Sequence, residues 1–499
     1  MYSKPIVYKV RCFKTLAPAG VIALFLCSAE SLLAAPRTWS GGATDNLWSS
    51  SANWNGAIGS GDGLTFAGTT RLANSNNLSA DTSFAGITFS SGAGDFVLSG
   101  NAIGLSSDII NSDNAGNQTI NLNVAFSKNS LINSVTGATT VIGGSVSGSV
   151  NLTINNGNGD TGLVVLGGAN GYSGTTTISN GVLRIGNSTA LGAVGSGTTV
   201  SNGAALELQG NIAVGAEALS IVGSGVSASG AMRNVSGNNS YGGLLTLGGA
   251  TRIQSDSGTL NLDVASGNAI TGTAAALTFG GAGNIIVSDA ISNTSGTLSK
   301  EGAGVLTLAA ANTYSGTTSV NAGALVVNGS LAGGNVDVAN GASLSGNASI
   351  GGALNVSGVL IPGRCVGTLS VSQGLVQGAT SIVRFDLNAA NLGVGLGIND
   401  LIIVGGNLTL DGTLDVLPWN VAVNGNFSTR NSGSWTLFRY TGSLTDNGLN
   451  LGQMPTLAAG YEWRLDTCTA NAVTLNIVPE PSTALLSGLA SILLFRRRR

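Results

Sequence analysis

Short runs in which apolar and polar side chains alternate recur along nearly the whole chain. Three of them are "TTTIS" (Thr175 to Ser179), "VLRIG" (Val182 to Gly186) and "LVVNG" (Leu325 to Gly329). Alternation with a period of two sends successive side chains to opposite faces of a strand, so each run predicts a short strand with one face inward. Glycine and asparagine punctuate the runs, and they supply the left-handed turn conformations that other residues resist. Helices are expected to be scarce between residues 36 and 478. The pattern predicts an all-β chain of many short strands.

The runs are organised in repeats. "GLVVLGGANGYSGTTTISNGVLRIGNSTALG" (Gly162 to Gly192) aligns without a gap on "GVLTLAAANTYSGTTSVNAGALVVNGSLAGG" (Gly304 to Gly334), at a constant offset of 142 residues. The shared centre is Ala-Asn-x-Tyr-Ser-Gly-Thr-Thr, at Ala169 to Thr176 and Ala311 to Thr318. A finer period lies inside: Gly181 to Gly203 is 22 residues and Gly323 to Gly341 is 18. Each such unit has room for two or three strands with turns between them. Units of this length, all of one kind, suit a right-handed parallel β-solenoid, in which each coil buries its apolar face on its neighbours. Roughly twenty coils, and a rod of about 90 Å, are expected at ~4.8 Å per coil. Separate Greek-key sandwiches would explain the alternation but not the gapless register.

Composition narrows the function. Only 9% of residues are charged, and 77 of 499 are glycine. Low charge with ample Val, Leu and Ile excludes a disordered linker. Eight of the 20 basic residues and two of the 23 acidic ones lie in the two ends, leaving 12 basic against 21 acidic from Arg37 to Val478. An acidic body with no basic patch argues against nucleic acid as a partner.

Both ends carry export-type patterns. Lys4, Lys9, Arg11 and Lys14 precede an apolar stretch from Ala17 to Ala29, and Ala34 and Ala35 offer a cleavage site before Pro36. Residues 1–35 therefore read as a signal peptide containing a signal helix. The other end, "VPEPSTALLSGLASILLFRRRR" (Val478 to Arg499), joins Pro479, Glu480 and Pro481 to a mostly apolar run and then to Arg496, Arg497, Arg498 and Arg499. A helix from Ala484 to Phe495 rises only about 18 Å, against a bilayer core of roughly 30 Å. Such a segment enters a membrane but is short for crossing one, and its arginines hold the end at the cytoplasmic face. A processed export signal and a permanent C-terminal anchor both fit.

The units around "YSGTT", with "LSKEGAGVLTL" (Leu298 to Leu308) before the second, resemble autotransporter-associated β-strand repeats. The opening "TWSGGATDNLWSSSANWNG" (Thr38 to Gly56) is similar to the start of many proteins with those repeats, and the tail resembles the PEP-CTERM sorting signal. The resemblance implies export from a Gram-negative bacterium through Sec-type machinery. It also implies a transient inner-membrane stage held by the C-terminal helix, then processing near Pro479–Pro481 by an exosortase-like membrane protease. The organisation expected is a signal peptide (1–35), an N-terminal cap with the first coils (36–150), the repeats (151–367), a looser β-rich region (368–478) and the sorting signal (479–499). No autotransporter barrel is expected, since "LIIVGGNLTLDGTLDVLPW" (Leu401 to Trp419) reads as a hairpin turning at Asp411-Gly412.

Candidate chemistry is sparse. The chain has no histidine, which removes Ser-His-Asp and Cys-His catalysis and the commonest zinc ligand. Asp386, Asp400, Asp411 and Asp415 are the carboxylates close enough in sequence to consider for glycoside hydrolysis. "GAGDFVL" (Gly92 to Leu98) and "GNGDTGLVV" (Gly157 to Val165) echo calcium-binding turns, but as single copies they read as ordinary turns. Trp39, Trp48 and Trp54 form either an aromatic cap over the open solenoid end or a platform for sugar rings. Tyr172 and Tyr314 are expected to pack between coils. Cys365 and Cys468 are a candidate disulfide in an oxidising compartment or two separate thiols. No catalytic, metal or cofactor residue is assigned. The expectation is a secreted, non-enzymatic solenoid of the cell surface or extracellular matrix, structural or adhesive, with extracellular polysaccharide as a candidate partner. A glycan-binding or glycan-active β-helix using carboxylates is the alternative.

Overall fold

Each alternating run becomes one side of a three-sided coil. The structure, a computed structural model, describes residues 34–156, 159–363, 366–388, 399–418 and 427–481. One coil of the second half runs through Thr318–Val320, Gly323–Val327 and Ser330–Leu331. Each strand pairs in parallel with the same side of the next coil: Thr318 with Val336, Ala324 with Ser343, Ser330 with Ser349. The side holding Ser330 is termed the first face, that of Thr318 the second and that of Gly323 the third.

The second face is an unbroken ladder of 17 strands from Ala73–Asn76 to Leu444–Asp446. At ~4.8 Å per rung it is about 80 Å long. The solenoid is thus shorter than the roughly twenty coils expected, because several coils exceed twenty residues. Leu375 pairs with Leu408 and Leu408 with Leu444, steps of 33 and 36 residues. The 11-residue strand Leu245–Ser255 rounds a corner, so that Leu245 belongs to the first face and Ile253 to the second.

Register makes the core. Ile142, Leu166, Ile185 and Leu208 stand on successive rungs of the second face, and all four are fully buried. Burying each such side chain contributes roughly 1.5–3 kcal/mol, and only the stacked neighbours provide the cover. A one-residue slip would turn the whole column to solvent, so the alternation itself fixes the register.

The two ends of the solenoid are closed differently. At the N-terminal end Trp39, Trp48 and Trp54 are buried over Phe66, with Trp39–Trp54 centroids 5.1 Å apart and edge-on. Each indole N–H has an acceptor: Trp48 Nε1 donates to Asn74 Oδ1 (2.7 Å), Trp54 Nε1 to the Trp48 carbonyl (3.1 Å) and Trp39 Nε1 to the Thr70 carbonyl (3.3 Å). At the other end the pairing changes sense. Gly433–Tyr440 takes Ala472–Pro479 antiparallel on its free edge, and Tyr461–Asp466 pairs with that strand in turn. These are the described antiparallel strand pairs, and they occupy an edge on which another coil could otherwise add.

Two expectations need correction. Asp411-Gly412 does not turn a hairpin: Leu408–Leu410 pairs on the second face with Leu375–Gln377, and Thr413–Pro418 on the third with Ile382–Leu387. The dipeptide is a corner, with Gly412 at φ +75°, because stacking on the preceding coil buries both apolar faces whereas a hairpin would strand them. The signal helix and the short C-terminal apolar helix fall on residues 1–33 and 482–499, outside the described residues. Among the described residues, no helix is long and apolar enough to cross a membrane.

Candidate functional surfaces

The octet shared by the two long repeats is a device for joining coils. Asn170 Oδ1 accepts from Val146 N–H of the coil before (2.8 Å), and its Nδ2 donates to the Ala190 carbonyl of the coil after (2.7 Å). Asn312 does the same between Ile291 N–H (3.0 Å) and the Ser330 carbonyl (3.2 Å). Tyr172 and Tyr314 are buried, and their hydroxyls lie 2.6 and 2.8 Å from Thr176 Oγ1 and Thr318 Oγ1. Gly174 and Gly316 lie so close to the preceding coil that a Cβ on either would stand 2.2 Å from the Val150 or Gly296 carbonyl oxygen. Sequence reasoning gave the tyrosines a packing role but missed the asparagines. Their signal was their place in the octet, since a buried amide must spend its donors and acceptor on partners.

The carboxylates are mostly spoken for. Asp411 Oδ1 accepts the N–H of Gly412 at its corner (2.7 Å), and Asp415 accepts Gln453 N–H (2.8 Å) while pairing with Arg384 (3.3 Å). Asp386 and Asp400 are brought together: Asp400 is fully buried, with Asp386 N–H on Oδ2 and Gly367 N–H on Oδ1, both at 2.7 Å. Burial pushes Asp400 up to about 8, the two N–H donors oppose this, and the nearby Asp386 adds to it. A buried carboxyl with both oxygens held by backbone is a structural clasp between the strand Ile382–Leu387 and Gly367, badly placed to reach a substrate. Asp95 and Asp160, from the two calcium-like turns, accept from Asn117 N–H and Asn133 Nδ2, both at 2.8 Å.

A further group of charges is neutralised along the shaft. Glu207, nearly buried, joins Arg184 (2.6 Å) and Arg233 (2.8 Å), and Arg233 continues to Asp256 (2.5 Å). Lys300 is buried, with Nζ donating to the carbonyls of Glu301 (2.8 Å), Gly302 (2.7 Å) and Ala322 (3.1 Å). Its burial lowers the ammonium to about 8 against the opposing pull of Glu301.

One solvent-facing row holds short, uncharged side chains. Thr153, Thr177, Thr199, Ser220, Thr246, Thr271 and Ser292 follow one another outward on the first face, rung by rung. Two grooves flank this row. One, of about 510 Å³, is lined by Asn202, Val222, Ser224, Thr251, Arg252 and Thr278 among others. The other, of about 410 Å³, has Ala218, Leu244, Val264, Ser266, Asn268 and Thr271 in its walls. Neither wall holds a carboxylate. The three N-terminal tryptophans contribute nothing to this surface: buried rings offer no face to a sugar, which corrects the platform reading. Cys468 is exposed, while Cys365 lies outside the described residues, so their pairing stays a proposal. The Pro479-Glu480-Pro481 triplet is exposed at the end of the last strand, whereas Arg496 to Arg499 lie outside the described residues.

Two family models match the chain. The passenger-associated-transport repeat matches residues 160–185 and 298–327, which contain both octets, and the PEP-CTERM protein-sorting motif matches 478–499. A segment of 119 residues is 42% identical to part of the adhesin BmaC autotransporter of Brucella suis biovar 1 (strain 1330). That segment is 24% of this chain and 3% of the adhesin, so the chain spans only a small part of that relative. The chain is a parallel β-solenoid that contains two passenger-associated-transport-repeat segments and carries a PEP-CTERM sorting motif.

Proposed function

We propose that the protein is exported from a Gram-negative cell, processed at its tail, and works at the cell surface or in the extracellular matrix as a non-enzymatic structural or adhesive rod. The observation that carries this is the outward hydroxyl row with its two flanking grooves, which hold polar groups for binding and no carboxylate for catalysis. Hydroxyls at ~4.8 Å intervals offer many weak, repeated hydrogen bonds. That suits avid contact with a repetitive partner, and an extracellular polysaccharide is the class proposed. The adhesin relative supports an adhesive role, and the sorting motif supports transient handling by an exosortase-like membrane protease after Sec-type export. The test is retention of the purified protein on immobilised matrix polysaccharide from its host, with reducing ends assayed in parallel. Retention that falls at least severalfold in a Thr199→Val/Ser220→Ala/Thr246→Val variant, without release of reducing ends, is expected. Release of reducing ends would make the protein a glycan-active enzyme instead.

A further inference from the structure

The sorting triplet begins inside the fold. Ala472–Pro479 is the middle strand of the antiparallel closure, with Gly433 opposite Ile477 on one edge and Glu462 opposite Val478 on the other. Pairing reaches Pro479, which stands opposite Tyr461, and one more bond follows, from Glu480 N–H to the Gly460 carbonyl (2.8 Å). Pro481 has no N–H to give, so the sheet cannot extend through it. The side chains follow the same boundary. Val473, Leu475 and Ile477 are buried, whereas Pro479, Glu480 and Pro481 are exposed.

A protease binds its substrate as an extended segment whose backbone groups are free to pair with the enzyme. From Thr474 to Ile477 both edges of the strand are paired, Val478 and Pro479 are paired on one, and Val473, Leu475 and Ile477 are buried. Cutting there requires the closing hairpin to be pulled out first, and the buried apolar contacts oppose that opening. The Glu480 N–H makes the last of these bonds, and the exposed Pro481 carries no N–H to add another. We propose that the processing cut falls on the C-terminal side of Glu480, and that the folded hairpin Tyr461–Pro479 sets this limit. In the cut a peptide C–N bond breaks: water supplies the hydroxyl of the new carboxyl group and the proton of the new amine. The hairpin then stays on the mature protein as the closing edge of the first face. This rests on the reading of residues 479–499 as a processed signal.

The experiment uses the full chain in a host with its sorting machinery. The extracellular protein is purified and its C-terminal peptide identified by mass spectrometry. A terminus at Glu480 or beyond, with Arg496–Arg499 lost, is expected. A terminus within residues 472–479 overturns the proposal while leaving the processed-signal reading intact, whereas extracellular protein that keeps Arg496–Arg499 overturns both. The hairpin's part is tested by Trp463→Ser, which leaves the triplet unchanged. Trp463 Nε1 donates to the Pro455 carbonyl (2.8 Å), and its ring packs on Trp435 and Phe427. Loosening the hairpin is expected to spread the termini upstream of Glu480. An unchanged terminus in a variant whose hairpin amides exchange faster overturns the role of the fold, and a variant that does not fold is replaced by the milder Trp463→Phe.

Discussion

The hydroxyls of Tyr172 and Thr176 meet at 2.6 Å in the core, and those of Tyr314 and Thr318 repeat the contact at 2.8 Å. Each pair links a third or first side of the coil to the strand that follows, with both hydroxyls out of reach of water. Tyr172→Phe is expected to cost about 1–3 kcal/mol, because it leaves Thr176 Oγ1 unpaired in the interior. Tyr172→Phe/Thr176→Val is expected to recover most of that loss. Urea melts of the three proteins check the ordering, and a double variant weaker than the single one would refute it.

Gly334 sits in a corner where a Cβ would lie 1.8 Å from the Gly316 carbonyl oxygen, and Gly352 repeats the approach to Gly334 at 2.2 Å. The opposing atom is backbone and has little room to move. Gly334→Ala is expected to lower the melting temperature, at a cost of about 1–3 kcal/mol for forced local displacement. Gly341→Ala is the contrast: nothing lies within 4 Å of its Cβ, but φ is +83°, so its penalty is conformational alone and smaller. Calorimetry on both variants separates the two causes.

Trp39→Ala is expected to cost about 3–5 kcal/mol, as for other large buried aromatic truncations. Because each coil is held mainly by its neighbours, the damage should concentrate at the N-terminal end. Hydrogen exchange should quicken in Gly63–Phe66, which pairs with the strand holding Trp39, and remain slow near Leu325. Uniform quickening along the shaft would refute a local cap.

The burial of Asp400 is expected to give stability a pH dependence of definite sign. Burial raises its folded value to about 8, above that of the unfolded chain, so the native state holds the extra proton between about pH 4 and 8. The stabilisation linked to that proton is fully present below the unfolded value and lost as pH rises through the folded one. From pH 5 to pH 8 the wild type is therefore expected to lose melting temperature relative to Asp400→Asn. The variant lacks one acceptor for the two N–H donors, which shifts its curve without changing the slope. Parallel curves for the two proteins would contradict the assignment.

The sequence by itself determined the strands, their inward faces and the parallel stacking, because alternation and turn residues act locally and every coil repeats them. It also marked the tail motif and the octet. Tertiary structure decided where these pieces stand around the shaft. The first repeat puts Val182–Ile185 on the second face, and the second repeat puts the equivalent Ala324–Val327 on the third. Six rungs of the second face separate Leu163–Leu166 from Leu298–Lys300, and the second repeat's Val305–Leu308 follows one side later. The 142-residue spacing is thus six turns and a third, and like residues of the two copies point in different directions. Pairing with the preceding coil likewise turns Asp411-Gly412 into a corner. Which strand meets which depends on the accumulated lengths of all intervening coils and on the apolar surface each pairing buries. No local stretch of residues carries that sum.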